Sequence, residues 1–316
     1  MCGIMTVFLL LMSTNVSAQV QLEAPCIDGN SNDWNNPNLI IQPSFSLEHD
    51  VFTGNMDDIY TGSKDFKLFG DNNNSSDYNE WTLSPMQAKS DIMNAAAVVL
   101  DGVNNPEGCT GAFGDYDVNK TYLFFAGDRE SNNGTGYTGF WFLLNGTTAD
   151  TSTTYPGQKI FTPQHSVGDL LILANFESGG RDAIVTVLKW VGPGNGTEGN
   201  NLSLEVVNTQ AQVGQNNAGT TPVPTGWIVP DGQTTYDTNE FYEGVIDLTE
   251  VFDLSNPENS NLLCSTTWML ETRSSKEITA DLKDFVGGSF NLAPEVIVTD
   301  DAVCEGGSAS LTASLS

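Results

Sequence analysis

"TYLFFAGDRESNNGTGYTGFWFLL", residues 121–144, decides the fold. Two dense apolar runs, Tyr122–Ala126 and Phe140–Leu144, flank a polar stretch rich in Asn and Gly. Each run is about one strand long and is apolar at consecutive rather than alternate positions. A strand that is apolar on both faces must be covered on both, so these runs predict central strands with sheets on either side. Between them, Asn and Gly supply the positive φ that a hairpin turn requires. The same loop sets Asp128, Glu130 and Asn132 at alternate positions, as a D-x-[DN]-x-[DN]-G calcium loop does. Gly134 comes one residue late, and Gly139 stands where a bidentate Glu would close such a loop. A hairpin turn and a Ca²⁺ site are both readings of this stretch.

The same texture extends along the chain. Short apolar or alternating runs fall at Leu170–Asn175, Ile184–Val191, Leu202–Val207, Phe241–Leu248 and Leu262–Glu271, between clusters of Gly, Asn, Asp and Thr. Strands punctuated in this way predict an all-β, antiparallel β-sandwich. In "EITADLKDF" (277–285), Ile278, Ala280 and Leu282 alternate with polar residues, which predicts a half-exposed strand. Ser84, Pro85 and Gln87 form the one helix start signal, predicting a short helix over Pro85–Met93 and then a strand over Ala95–Leu100. Gly192–Asn201 and Gln210–Gly226 read as long loops.

The charge balance excludes some partners. Eleven Lys+Arg against 40 Asp+Glu give the 316-residue chain a formal net charge of -29. Such a surface repels nucleic acid and anionic lipid and attracts cations. "MCGIMTVFLLLMSTNVSA" (1–18) reads as a secretory signal peptide, with an apolar core at Ile4–Met12 and a small-residue cleavage pattern at Val16-Ser17-Ala18. The run is too short to span a bilayer, so a secreted or cell-surface protein without membrane insertion is expected. Cys2 would leave with the leader. Cys26, Cys109, Cys264 and Cys304 would remain, in a spacing that fits no zinc pattern but permits disulfides.

Three resemblances are carried by longer stretches. "TGSKD" (61–65), "FFAGDR" with "GFWF", "HSVGDLLILANFESGG" (165–180), "FYEGVIDL" (241–248) and "ETRSSKEITADLKDFVGGSF" (271–290) resemble an ectodomain of large secreted bacterial, Bacteroidetes-type, adhesin-like surface proteins. That family has no assigned activity. "IDGNSNDWN" (27–35) with "VVLDG" and "YLFFAGD" is similar to carbohydrate-binding family 9 and its DOMON relatives, which implies a jelly-roll-like sandwich that binds sugars or haem. In "APEVIVTDDAVCEGGSASLTASLS", residues Pro294, Val303, Cys304, Gly306, Ser308, Leu311 and Ala313 resemble the first strands of an immunoglobulin-like repeat. The implied organisation is a signal peptide (1–18), a sandwich ectodomain (19–292) and a truncated immunoglobulin-like segment (293–316). That resemblance also implies that the partner of Cys304 lies downstream of this chain. The large domain then keeps an odd number of cysteines and at most one bridge. Cys109–Cys264 is the expected one, since both flank strands of the core pattern.

Chemistry is sparse in the sequence. Only His49 and His165 exist, which excludes a three-His zinc site, and His165 has no G-x-S-x-G partner. Glu243 and Asp247, four apart on one strand, share a face and form a glycosidase-like carboxylate pair. Asp28, Asn30, Asn32 and Asp33 form a second oxygen-rich loop, and Asp71, Asn73 and Asp77 a third, so Ca²⁺ is the expected cofactor. Arg273 is one of three arginines in an acidic chain and should pair with a carboxylate or anchor a ligand. Trp227 and Tyr236 flank "IVPDG", where they would either stack on sugar rings or plug one end of the sandwich. Trp141 and Trp268 lie in apolar strands and belong to the core. The expected function is a non-enzymatic, secreted module acting in adhesion or glycan binding, with a glycan or a surface protein as partner. A secreted glycan hydrolase using paired carboxylates and a purely architectural domain are the alternatives.

Overall fold

The long apolar runs become the central strands of two antiparallel sheets. The computed structural model describes residues 22–50, 57–60, 81–84, 87–109, 116–132, 134, 136–150, 160–163, 165–176, 184–192, 195–196, 204–207, 212–229, 232–255, 259, 263, 266–278, 280, 282–290, 296–299 and 312–315. Eleven strands build the two main sheets. They are β1 (Ser46–His49), β2 (Asn94–Asp101), β3 (Thr121–Asp128), β4 (Gly136–Leu143), β5 (Leu170–Phe176) and β6 (Ile184–Trp190). Then follow β7 (Leu204–Val206), β8 (Gln212–Asn216), β9 (Phe241–Asp247), β10 (Thr267–Arg273) and β11 (Leu282–Ser289). One sheet has the order β1-β2-β3-β9-β8 and the other β7-β6-β5-β4-β10-β11. The all-β sandwich architecture is as expected.

The stretch that opens the sequence reading is not a hairpin. β3 pairs with β2 and β9, whereas β4 pairs with β5 and β10. Residues 129–135 therefore carry the chain from one sheet to the other. The reason lies in the two runs themselves: each is apolar on both faces and sits inside its own sheet with a neighbour on either side. Consecutive residues on these strands point to opposite faces. On β2, Ala95, Ala97 and Val99 face the other sheet, and Ala96, Val98 and Leu100 face outward. On β4, Phe140 and Phe142 face inward, and Trp141 and Leu143 outward. Small alanines on β2 leave space for large rings, and Phe125 of β3 stacks on Phe140 of β4 with centroids 4.6 Å apart. Gly244 on β9 makes room for the Phe125 ring, which a Cβ at that position would strike.

Both outer faces are buried, in part by small two-stranded sheets: Tyr236 lies on Thr235–Tyr236, which pairs with Thr221–Pro222, and Phe161 lies on Ile160–Thr162, which pairs with Thr148–Asp150. The outer face of the five-stranded sheet packs under Ile27, Trp34, Leu39, Trp227 and Tyr236, all from segments outside the sheet. The outer face of the six-stranded sheet gathers Trp141, Leu171, Leu188 and Trp190 under Phe161. The N-terminal cover is tied down by a disulfide from Cys26 to Cys109. This corrects the expected Cys109–Cys264 pairing: folding lays residue 26 beside the loop after β2. Cys2, Cys264 and Cys304 lie outside the described residues, as do residues 1–18.

Several local expectations change. Among the described residues of the expected helix, 87–93, only a turn forms before β2. The amides of Ile92 and Met93 are taken by the Asp284 and Asp128 carboxylates, partners that a helix would have replaced with its own carbonyls. Within Gln210–Gly226, read as loop, β8 forms the edge of the five-stranded sheet against β9. Its polar "QVGQN" lacks the apolar alternation that marks a strand, because cross-strand backbone pairing places it there. Of the alternating pattern beginning at Ile278, Ile278 lies in a turn, Ala280 N–H donates to Glu277 O, and the strand begins at Leu282. In the C-terminal segment, Val296–Thr299 pairs antiparallel with Thr312–Leu315 as a two-stranded sheet. Two further short helices are present, α1 (Pro37–Ile40) and α2 (Leu248–Phe252). No helix among the described residues is long and apolar enough to cross a membrane.

Candidate functional site

Asp128, the first residue of the calcium-like triplet, ends β3 with its carboxylate turned inward and fully buried. Oδ1 accepts the backbone N–H of Met93 at 3.0 Å and of Asn94 at 2.7 Å. Oδ2 accepts Asn94 Nδ2 at 2.5 Å and the hydroxyl of Tyr236. Four donors use up the lone pairs of a carboxylate, so Asp128 locks the entry to β2 onto the end of β3. Burial pushes its pKa up to about 7 against these hydrogen bonds. Glu130 is exposed, and Asn132 Nδ2 donates to Thr238 O at 3.1 Å. The structure therefore separates the three side chains and does not turn them toward one centre.

The second oxygen-rich loop is a turn and a cap. Asp28 Oδ1 accepts the N–H of Asn30 at 2.8 Å, and Asn30 Oδ1 accepts that of Asn32 at 3.2 Å, opening the 3-10 turn Ser31–Asn35. Beneath this loop lies Glu243 of β9, fully buried. Its Oε1 accepts the N–H of Asp28 (3.0 Å) and of Gly29 (2.7 Å), and its Oε2 accepts Trp34 Nε1 (3.0 Å). Gly29, at φ +83°, packs so close to the Asn216 carbonyl that a Cβ would not fit. Glu243 is thus the peg that fastens the N-terminal cover to the sheet. Burial raises its pKa to about 8, and burial together with Asp28 raises Asp33 to about 6. Asp28 and Asp33 also approach Cys26, but its sulfur is committed to the disulfide. Asp247, the other half of the carboxylate pair, accepts the N–H of Glu250 and pairs with Lys120 Nζ at 2.6 Å, so it caps α2.

Trp227 and Tyr236 plug the sandwich. They are 7% and 0% exposed and pack on Phe241, with Tyr236 stacked on it at 6.0 Å. Neither presents a ring to a sugar. Arg273 is buried at the end of β10, where Nη1 pairs with Glu271 Oε1 at 2.7 Å and Nη2 donates to Glu277 O at 2.8 Å. It holds the turn before β11. His165 pairs with Asp169 at 2.8 Å and lies between Trp141 and Trp190, a structural position.

Two constellations arise only in the folded chain. Asp50 follows β1, Asp91 precedes β2 and Asp284 lies on β11, and one carboxylate oxygen of each comes within 4.8 Å of the others. Three hard oxygens from three segments are a donor set suited to Ca²⁺. The second is a groove of about 180 Å³ on the outer face of the six-stranded sheet. Leu143, Phe161, Met269 and Phe285 line it, Gly287 leaves its wall without a side chain, and exposed Thr148 stands at its edge. No sequence signal points to either, because their residues are far apart in the chain and individually ordinary. Comparison of the chain with protein-family models, curated proteins and solved structures finds no match.

Proposed function

We propose that this chain is a secreted cell-surface β-sandwich module that makes adhesive or glycan contacts and catalyses no reaction. The observation that carries the reading is the groove beside Thr148. It is concave, mainly apolar, and edged by hydroxyl and backbone groups, the composition of a ligand cleft. At about 180 Å³ it is smaller than the roughly 300–1,000 Å³ of drug-sized ligand sites. It suits one ring or one side chain of a larger partner. The structural duties of Glu243 and Asp247 support the non-catalytic part of the reading, since each carboxylate already serves backbone amides or a lysine.

A glycan array tests this directly. The wild-type protein should bind a subset of glycans without turning them over, and Thr148→Trp, an exposed change that obstructs the groove, should lose that binding. Turnover of a bound glycan, or a silent array, overturns the proposal. The reading also includes Ca²⁺ at Asp50, Asp91 and Asp284. At a hundredfold excess over Kd the ion should stabilise the fold by about 2.7 kcal/mol. A melting temperature indifferent to Ca²⁺ and chelator, or a Ca²⁺ effect that survives Asp91→Asn, would remove it.

A further inference from the structure

The crossing between the sheets brings two arginines to one small crevice in an otherwise acidic protein. Arg129 begins the crossing, Gly136 ends it, and both line a cavity of about 20 Å³ together with Lys89, Tyr242, Thr272 and Arg273. Two of the three arginines of a chain with net charge -29 thus meet at one small space. Arg129 is 5% exposed. Its Nε donates to Asn239 O at 2.8 Å, which orients the guanidinium. Nη1, on the other edge, is buried and has no acceptor among the described residues. It faces Gly136, where a Cβ would stand only 2.9 Å away, so the glycine keeps that side of the guanidinium open to the crevice.

We propose that this crevice is an anion site, with Arg129 Nη1 as its innermost donor and Lys89 at its mouth. The physical reason is charge. A buried guanidinium with an unused donor is costly unless an acceptor reaches it, and an ionised acceptor gives the stronger bond. Arg273 is already paired with Glu271, and Glu240 is a carboxylate whose charge acts on Arg129. Asp128 and Asp284 also act on Tyr242 in the crevice wall, and Arg129 is the cation whose Nη1 donor stays unused there among the described residues. The volume fixes the ligand's size, since about 10–15 Å³ suffices for one water-sized atom. The site therefore takes a halide or a single oxygen of a carboxylate, supplied by a free small anion or by an acidic sugar. The sugar source rests on the glycan reading above; the anion site does not.

The test compares thermal stability in sodium chloride, sodium acetate and a bulky sodium sulfonate at equal ionic strength, so that general screening is constant. Chloride and acetate should raise the melting temperature by several degrees over the sulfonate and saturate with concentration. Arg129→Gln should abolish the difference. Lys89→Gln changes an exposed side chain and leaves the fold intact; it should weaken apparent anion affinity about threefold or more, as expected for removing one nearby surface charge. Equal melting temperatures in all three salts, or an anion effect unchanged in both variants, would overturn the proposal. If glucuronate binds more tightly than acetate in calorimetry while glucose does not bind, the occupant is an acidic sugar. If glucuronate is no better than acetate, the occupant is a free small anion.

Discussion

Replacing Asp128 with Ala should be among the most damaging single changes in this protein. The carboxylate accepts from Met93 N, Asn94 N, Asn94 Nδ2 and the Tyr236 hydroxyl, all within the fully buried end of β3. A buried donor left without an acceptor costs about 1–3 kcal/mol. The two backbone amides are held by the start of β2 and cannot turn elsewhere, so each bears that cost in full. Asn94 Nδ2 keeps its second acceptor, Ile228 O at 2.7 Å, and the Tyr236 hydroxyl can rotate, so these add less. The sum is a loss of about 3–5 kcal/mol. With an m-value near 3 kcal/mol/M, the urea midpoint should fall by about 1–2 M. Tryptophan fluorescence can follow unfolding at pH 7, with Tyr236→Phe as a milder companion expected to cost about 1 kcal/mol. A loss below about 1 kcal/mol for Asp128→Ala would refute the locking role, because that is the worth of one ordinary hydrogen bond. So would a chelator that reproduces the loss in the wild-type protein, since Asp128 would then be acting through a metal.

Two other outcomes follow from the same structure. The Cys26–Cys109 bridge closes a loop with a sequence separation of 83, so Cys26→Ser with Cys109→Ser should lose about 4–5 kcal/mol on the chain-entropy estimate; non-reducing peptide mapping that joins Cys109 to Cys264 would contradict the fold at its N-terminal cover. Burial raises the pKa of Asp33 to about 6, Asp128 to about 7 and Glu243 to about 8, so the folded state holds protons that the unfolded chain releases near pH 4. Their stabilising contribution is therefore complete below about pH 4 and is lost as pH rises toward about 8. Urea midpoints should fall from pH 5 to pH 8.5, and a rise across that interval would refute this account.

Much of the sandwich was legible in the residues alone. Tyr122–Ala126, Phe140–Leu144, Leu170–Asn175 and Phe241–Leu248 announce central strands because continuous apolar sequence has only one economical fate in water, burial on both faces. The core positions of Trp141 and Trp268 follow from the same pattern. Pairing was not legible. Residues 129–135 look like a hairpin, and whether such a loop returns to its own sheet or crosses to the other depends on which strands are free to pair with β3 and β4. Those partners, β2 and β9 on one side and β5 and β10 on the other, are distant in sequence. The edge strand β8 escaped for a related reason: its side chains carry little apolar pattern, and its conformation is imposed by the backbone of β9.

The roles of polar residues divide in the same way. From the sequence, Asp128, Asp28 and Asn30 are oxygen-rich turn residues, and their chemistry is compatible with metal, cap or peg. Only the folded chain turns Asp128 inward onto the amides of Met93 and Asn94, because a carboxylate's duty is set by the donors that packing brings within about 3 Å. The meeting of Asp50, Asp91 and Asp284, and that of Arg129 with Arg273 and Lys89, depends likewise on contacts between strands far apart in the chain. Apolar pattern is a local property of sequence and names the layers. Polar function here is a property of tertiary proximity, which no local pattern encodes.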